Sequence, residues 1–175
     1  RSGQGVGQGQ DHRRVRYPLT RPMSRAPLPA AKPHLRLAKP SDGQAVARLL
    51  GELGYVCTRD EAVERIVTVL EDPSQLLLVA DLHGELCGLL ALDFMYYLPL
   101  GRNTCRITAL IVADSHRKLG VGRELLREAE QRARAAAAAR IEVTTASHRR
   151  DAHDFYRACG YTESSTRFVR RLGDA

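Results

Sequence analysis

The run Cys105 to Val112 carries β-branched side chains at Ile107, Thr108, Ile111 and Val112, and it is closely followed by Arg117-Lys118-Leu119-Gly120-Val121-Gly122 and an Ala/Arg/Glu-rich stretch reaching about Ala138. β-Branched residues favour a pleated strand, whereas Ala, Arg and Glu favour a helix. Two glycines at the junction let the backbone turn without a Cβ in the way. A strand that passes through a glycine turn into a long helix must lay that helix against a sheet, which constrains the chain to a layered α/β architecture. At 175 residues there is room for one such domain and not for a second full one.

The flanking sequence supplies the other elements. Leu35 to Ala38 alternates as a short strand, and Ser41 to Gln44 spells a capping box ahead of Ala45, Val46, Leu49, Leu50 and Leu53 at helical spacing. Thr58 and Glu61 repeat that signature before Ala62, Val63, Ile66, Val67 and Leu70, a helix that must stop before Pro73, and Gly54 to Cys57 joins the two. Leu76–Ala80 and Leu86–Phe94 read as a hairpin around His83 and Gly84, and Tyr96 to Asn103 as a loop. Ile141–Thr145 is a short strand, Arg149–Cys159 a helix ended by Gly160, and Thr166–Arg171 a last strand. The order β α α β β β α β α β predicts a mixed sheet with helices on both faces, and no internal repeat appears.

Charge divides the chain. Residues 1–40 hold nine Lys/Arg against the single acid Asp11, while residues 41–175 hold 18 basic and 19 acidic side chains, so the net charge of +7 belongs to the N-terminal stretch. That stretch is Gly/Gln-rich at the start and carries Pro18, Pro22, Pro27, Pro29 and Pro33, without helical or strand periodicity. Residues 1–34 therefore read as a flexible basic leader and 35–175 as the single domain. Met23 is the first methionine and no signal-peptide core precedes it, which makes residues 1–22 a candidate non-native extension; a basic arm for nucleic acid or membrane is the functional alternative.

No apolar run approaches the roughly 20 residues of a membrane span. Along the Gly122–Ala139 helix, Glu124, Glu128 and Glu130 interleave with Arg123, Arg127, Arg132 and Arg134, a solvated face and not a basic stripe for nucleic acid. Cys57, Cys87, Cys105 and Cys159 show no CxxC spacing, so buried thiols in a reducing cytoplasm are expected. The six histidines form no HxxxH or HExxH pattern, and no metal site is expected.

The chemistry lies in RxxGxG. Successive N–H groups at a helix N-terminus lack intrahelical partners and can cradle a phosphate, with the helix dipole and Arg117 adding favourable charge. No GK[ST] follows Gly120 and Gly122, and Glu124 and Leu125 stand where a dinucleotide fingerprint would need its third glycine, so neither of those motifs is present.

Ala109 to Val112, Arg117 to Gly122, Leu125 and Leu126, followed by His153, Phe155, Tyr156, Gly160 and Tyr161, together resemble the GNAT superfamily of acetyl-CoA-dependent N-acetyltransferases over roughly Leu35 to Leu172. The resemblance implies a largely antiparallel mixed sheet with two parallel central strands that splay apart, Cys105–Val112 and Ile141–Thr145. It implies acetyl-CoA as acetyl donor, its pyrophosphate on the backbone of Arg117, Lys118, Leu119, Gly120, Val121 and Gly122, its pantetheine arm along Leu110, Ile111 and Val112, and Phe155 packed on it. The amides of such an arm would satisfy unpaired strand groups as a borrowed strand does. An N–H near Leu110 would polarise the thioester carbonyl. Relatives often carry an asparagine where Ala146 stands here, which removes one polar contact.

By the same resemblance Tyr156 is the general acid to the leaving thiolate; a phenol with a free pKa of about 10 keeps its proton at neutral pH. His153 reads as a helix-packing residue. The general base stays open between Asp93, Glu142 and water, because Arg106 and Thr108 occupy the region where many relatives place a Glu. The Ala152-His153-x-Phe155-Tyr156 run looks most like small-molecule members of the superfamily, including aminoalkylphosphonate and aminoglycoside acetyltransferases. Tyr55, Tyr96, Tyr97 and Arg102 are candidate acceptor-pocket residues, and Arg102 with Arg106 would favour an acceptor bearing an anionic group.

The expectation is thus direct acetyl transfer to a small-molecule primary amine, without an acyl-cysteine at Cys105 or Cys159. A protein lysine or N-terminus as acceptor, and a non-catalytic acyl-CoA-binding module, are the alternatives; a homodimer is open.

Overall fold

The computed structural model describes residues 32–173. The basic leader assigned to residues 1–34 lies outside the described residues except for its last three, and the first strand begins at His34. In chain order the elements are β1 (His34–Leu37), α1 (Gly43–Glu52), α2 (Arg59–Glu71), β2 (Gln75–Leu82), β3 (Glu85–Tyr97), β4 (Arg102–Val112), α3 (Val121–Ala135), β5 (Arg140–Val143) and α4 (Arg150–Ala158). They form one five-stranded sheet in the order β1-β2-β3-β4-β5, antiparallel except for the parallel β4–β5 pair. The expected layered α/β fold is present.

The continuous apolar run of β2 is explained by burial on both faces. Leu77 and Val79 pack toward Val46 and Leu49 of α1 and Ala62 and Ile66 of α2. Leu78 and Ala80, one residue out of phase, pack with Leu125 and Leu126 of α3. Leu89 and Leu90 on β3 divide in the same way between the two cores. Along the outer face of α3, Arg127, Arg132 and Arg134 pair with Glu124, Glu128 and Glu130, so the interleaved charges satisfy one another.

The Thr58 capping box forms: Glu61 N–H donates to Thr58 Oγ1 at 3.2 Å and Thr58 N–H to Glu61 Oε2 at 2.6 Å. The box expected at Ser41 and Gln44 does not. A 3-10 turn, Pro40–Asp42, precedes α1, and Asp42 at its N-cap turns its carboxylate back to the Arg36 guanidinium (2.7 and 2.9 Å) and Lys39 N–H (2.8 Å). An arginine reached across from β1 outcompetes the helix's own N–H groups for that carboxylate.

The Tyr96–Asn103 loop is shorter than expected. β3 runs to Tyr97 and β4 begins at Arg102, leaving only the turn Leu98–Gly101. The strand expected at Thr166–Arg171 is absent: among the described residues no strand follows α4, and Phe168, Val169 and Leu172 are 92%, 72% and 93% exposed. Side-chain preference makes a strand only where a ladder is offered, and pairing in this sheet ends at the four-residue β5.

Candidate active site

The parallel β4–β5 ladder runs from Thr104 opposite Arg140 to Ile107 opposite Val143, and there it ends. Beyond it Thr108–Val112 and Thr144–Ala146 line a cavity of about 970 Å³. The splay expected between these strands is therefore present, starting at Thr108. On its other side β4 stays paired with β3, but Ala91 faces Ala109 and Leu92 faces Ile107, so Thr108 is an extra residue, a β-bulge. A bulge re-aims a strand at the point where the cavity opens.

The mouth of this cavity is the turn into α3. Lys118 and Gly120 both take left-handed backbone conformations, with φ of 64° and 85°. Gly120 adopts its conformation freely, whereas Lys118 is held there at a cost. Gly120 is the N-cap of α3 and has no side chain with which to cap the first-turn N–H groups. Such uncapped N–H groups suit an anion. Around them stand Arg117, Lys118, Arg123 and Arg149, with His116 and His148. Arg117 is paired with Asp114 at 2.7 Å.

Gly122 follows on the first turn of α3, where a Cβ would lie 3.3 Å from Phe155 Cζ and 3.6 Å from Val112 Cγ2. Its lack of a side chain lets α4 close on α3. Val121 and Leu119 divide oppositely: Val121 is buried in the core and Leu119 is half exposed, and neither lines the cavity. Arg117, Lys118, Gly120, Gly122, Leu110, Ile111, Val112, Phe155 and Tyr156 do.

Tyr156 is half-buried, its ring edge-on to Phe155 at 5.3 Å and tilted against Tyr161 at 5.7 Å between centroids. Burial pushes its phenol up to about 12, with Arg149 pulling the other way. His153 lies outside the cavity lining and its Nε2 sits 3.1 Å from the Ala146 carbonyl oxygen, tying α4 to the segment that follows β5, a packing contact as expected. Burial pushes the Cys105 thiol up to about 11, which suits an inert core residue.

Several candidates lie elsewhere. Glu142 accepts from Arg106 Nε at 2.8 Å and pairs with Arg140 at 3.0 Å. Asp93 faces Arg106 across the β3–β4 ladder, and neither carboxylate lines the cavity. Arg102, Tyr96 and Tyr97 sit at the opposite end of the sheet, Tyr97 under the Arg140 guanidinium at 4.4 Å from its ring centroid. Of the candidate acceptor residues only Tyr55 reaches the cavity; the others are carried away by the extra length of β3 and β4.

Sequence reasoning did not single out Thr108, Arg123, Arg149 or Thr145. Arg149 stood at the start of the expected Arg149–Cys159 helix, and Thr145 takes a place next to the missing asparagine: its Oγ1 is buried without a hydrogen-bond partner. The parted strands with their unsatisfied groups fit an extended arm bearing amides, and the uncapped α3 N-terminus ringed by cations fits phosphates, so these residues suit a coenzyme A thioester.

Comparison with known proteins agrees with that geometry. The acetyltransferase (GNAT) family matches over residues 43–161. An aminoalkylphosphonate N-acetyltransferase from Salmonella typhimurium is 33% identical over 143 residues, covering 79% of this chain and 90% of that protein. Among solved structures, a transcriptional regulator from Bacillus halodurans C-125 superposes with a TM-score of 0.74 at 23% identity, covering 80% of this chain and 99% of the other. A GNAT family acetyltransferase from Staphylococcus aureus does so at 0.69 and 20% identity, covering 81% and 100%. With the family matched over well more than half its length, the chain belongs to the GNAT family of acetyl-CoA-dependent N-acetyltransferases.

Proposed function

We propose that this protein transfers an acetyl group from acetyl-CoA directly to the primary amine of a small molecule, with Tyr156 as the general acid. The observation that carries the reading is that the parted edges of β4 and β5, the uncapped start of α3 and the Tyr156 side chain all border one cavity. The relative from Salmonella typhimurium, named for a small amine substrate, supports the acceptor class.

When bound, acetyl-CoA supplies an acetyl group activated as a thioester. The N–H groups that open α3, with Arg117 and Lys118, would hold its pyrophosphate, and the backbone of Leu110, Ile111 and Val112 would hold its amide-bearing arm. The N–H near Leu110 would donate to the carbonyl oxygen as negative charge develops there. Tyr156 keeps its proton at Oη throughout the neutral range, because burial opposes the phenolate. That proton is then available to a departing thiolate. With Asp93 and Glu142 outside the lining, water is the carrier we assign for the proton lost by the amine.

Calorimetric titration of the chain with acetyl-CoA, beside Gly120→Glu, tests the reading. Micromolar binding lost by at least tenfold in the variant, with CoA released when amines are added, is the expected result. Absence of binding to the native chain would sink it.

A further inference from the structure

A neighbouring space abuts the cavity beside β4. A second cavity, of about 270 Å³, lies beneath α1 and α2, and Leu53, Tyr55, Thr108 and Ala109 line both cavities. The two meet where Thr108 bulges from the β3–β4 ladder. Apart from Arg65 and, at this junction, Tyr55 and Thr108, the walls are apolar, built from residues such as Leu50, Ile66, Val69 and Leu77.

Arg65 of α2 is the one charged side chain among the described residues that line it. No ion pair found among the described residues involves Arg65. Glu61, one turn earlier on the same helix, feels the Arg65 charge but makes no ion pair with it, and its carboxylate accepts from the Thr58 N–H at 2.6 Å in the capping box.

Resting on the acetyltransferase reading above, we propose that this second cavity receives the acceptor and that Arg65 selects an amine whose far end carries an anionic group on a short apolar body. Three physical arguments converge. A guanidinium at the rim of an apolar cavity makes strong charge-assisted bonds to a carboxylate or phosphonate. A second ammonium on the acceptor would instead face Arg65 and be repelled, which discriminates against polycations. The apolar walls favour the uncharged form of the amine that they enclose, the form able to attack. A volume of about 270 Å³ suits a small acceptor. Arg65 thus takes the role that sequence reasoning gave to Arg102 and Arg106.

The test compares 3-aminopropylphosphonate, 4-aminobutanoate, butylamine and 1,4-diaminobutane by CoA release, in the native chain, Arg65→Gln and Arg65→Glu. The native chain should prefer both anionic amines over butylamine by tenfold or more in kcat/KM, with the diamine poorest. In Arg65→Gln that ratio should fall at least tenfold, and in Arg65→Glu the diamine should overtake the anionic pair. Calorimetry of 3-aminopropylphosphonate, with and without CoA, reads the same contrast without turnover. Arg65-dependent binding with no transfer to any amine would leave this assignment standing and overturn the acetyltransferase reading. Transfer with equal selectivity in native and Arg65→Gln chains would do the reverse. Absence of both anion preference and Arg65-dependent binding would overturn the assignment outright.

Discussion

The Phe155 ring of α4 closes directly on the backbone of Gly122 in the first turn of α3, so near that a Cβ at position 122 would lie 3.3 Å from Cζ. This contact sets the distance between the proposed phosphate cradle and the helix bearing Tyr156. A branched side chain there must push the ring, and α4 with it, outward. Gly122→Val is expected to cost about 1–3 kcal/mol by overpacking and to weaken acetyl-CoA binding at least tenfold. Thermal melts and titration measure the two effects; unchanged affinity in a folded variant would show that the contact does not set the site.

Tyr156→Phe removes the phenol proton while keeping the ring that packs on Phe155 and Tyr161. Loss of a general acid typically lowers turnover about 10²-fold or more, and acetyl-CoA affinity should stay within about twofold. Because burial pushes this phenol up to about 12, the native rate should rise as the amine loses its proton and show no alkaline fall below about pH 11. A pH–rate profile that turns down near pH 10, or a fully active variant, would remove Tyr156 from the acid role.

The strand–glycine–helix junction was legible because each part has a local cause: β-branched side chains at Ile107 to Val112, a positive φ at Gly120, and a close approach at Gly122. The Thr58–Glu61 cap was legible for the same reason. Readings that depended on distant partners fared differently. Asp42 serves Arg36 of β1, and Phe168 and Val169 find no ladder despite their strand preference. The Thr108 bulge arises from register with β3, which no spacing within β4 reveals. Arg65 was invisible as a site residue because its relation to Thr108 exists only once α2 is packed on the sheet.

Two half-buried tyrosines tie stability to alkaline pH. Tyr156 is pushed up to about 12, and burial raises Tyr161 as well. A group whose folded pKa lies above its unfolded value contributes stability that is complete below the unfolded pKa, here about 10, and is lost as pH climbs toward the folded value. The native chain should therefore lose about 2 kcal/mol or more between pH 10 and 12, read by denaturant melts at each pH. Tyr161→Phe should shrink that loss, and because the Tyr161 hydroxyl is buried without a partner, it should cost little or nothing at pH 7. A flat profile across this window would contradict the buried placement of these rings.

Asp42 works at the opposite end of the scale. The Arg36 guanidinium, with the Lys39 N–H, holds its carboxyl below the usual carboxylate range. A depressed folded pKa gives stability that is present above about pH 4 and is lost as the carboxylate takes up a proton at lower pH. Asp42→Ala leaves the Arg36 guanidinium and a backbone N–H without their acceptor, at a cost of about 1–3 kcal/mol. The variant should be less stable than the native chain at pH 7, and the gap should narrow as both are acidified, because protonation removes from the native protein the interaction that the mutation has already removed. Urea melts at pH 7 and pH 3 decide it: a gap that holds constant across that range would assign the loss to packing at the start of α1 and not to the ion pair.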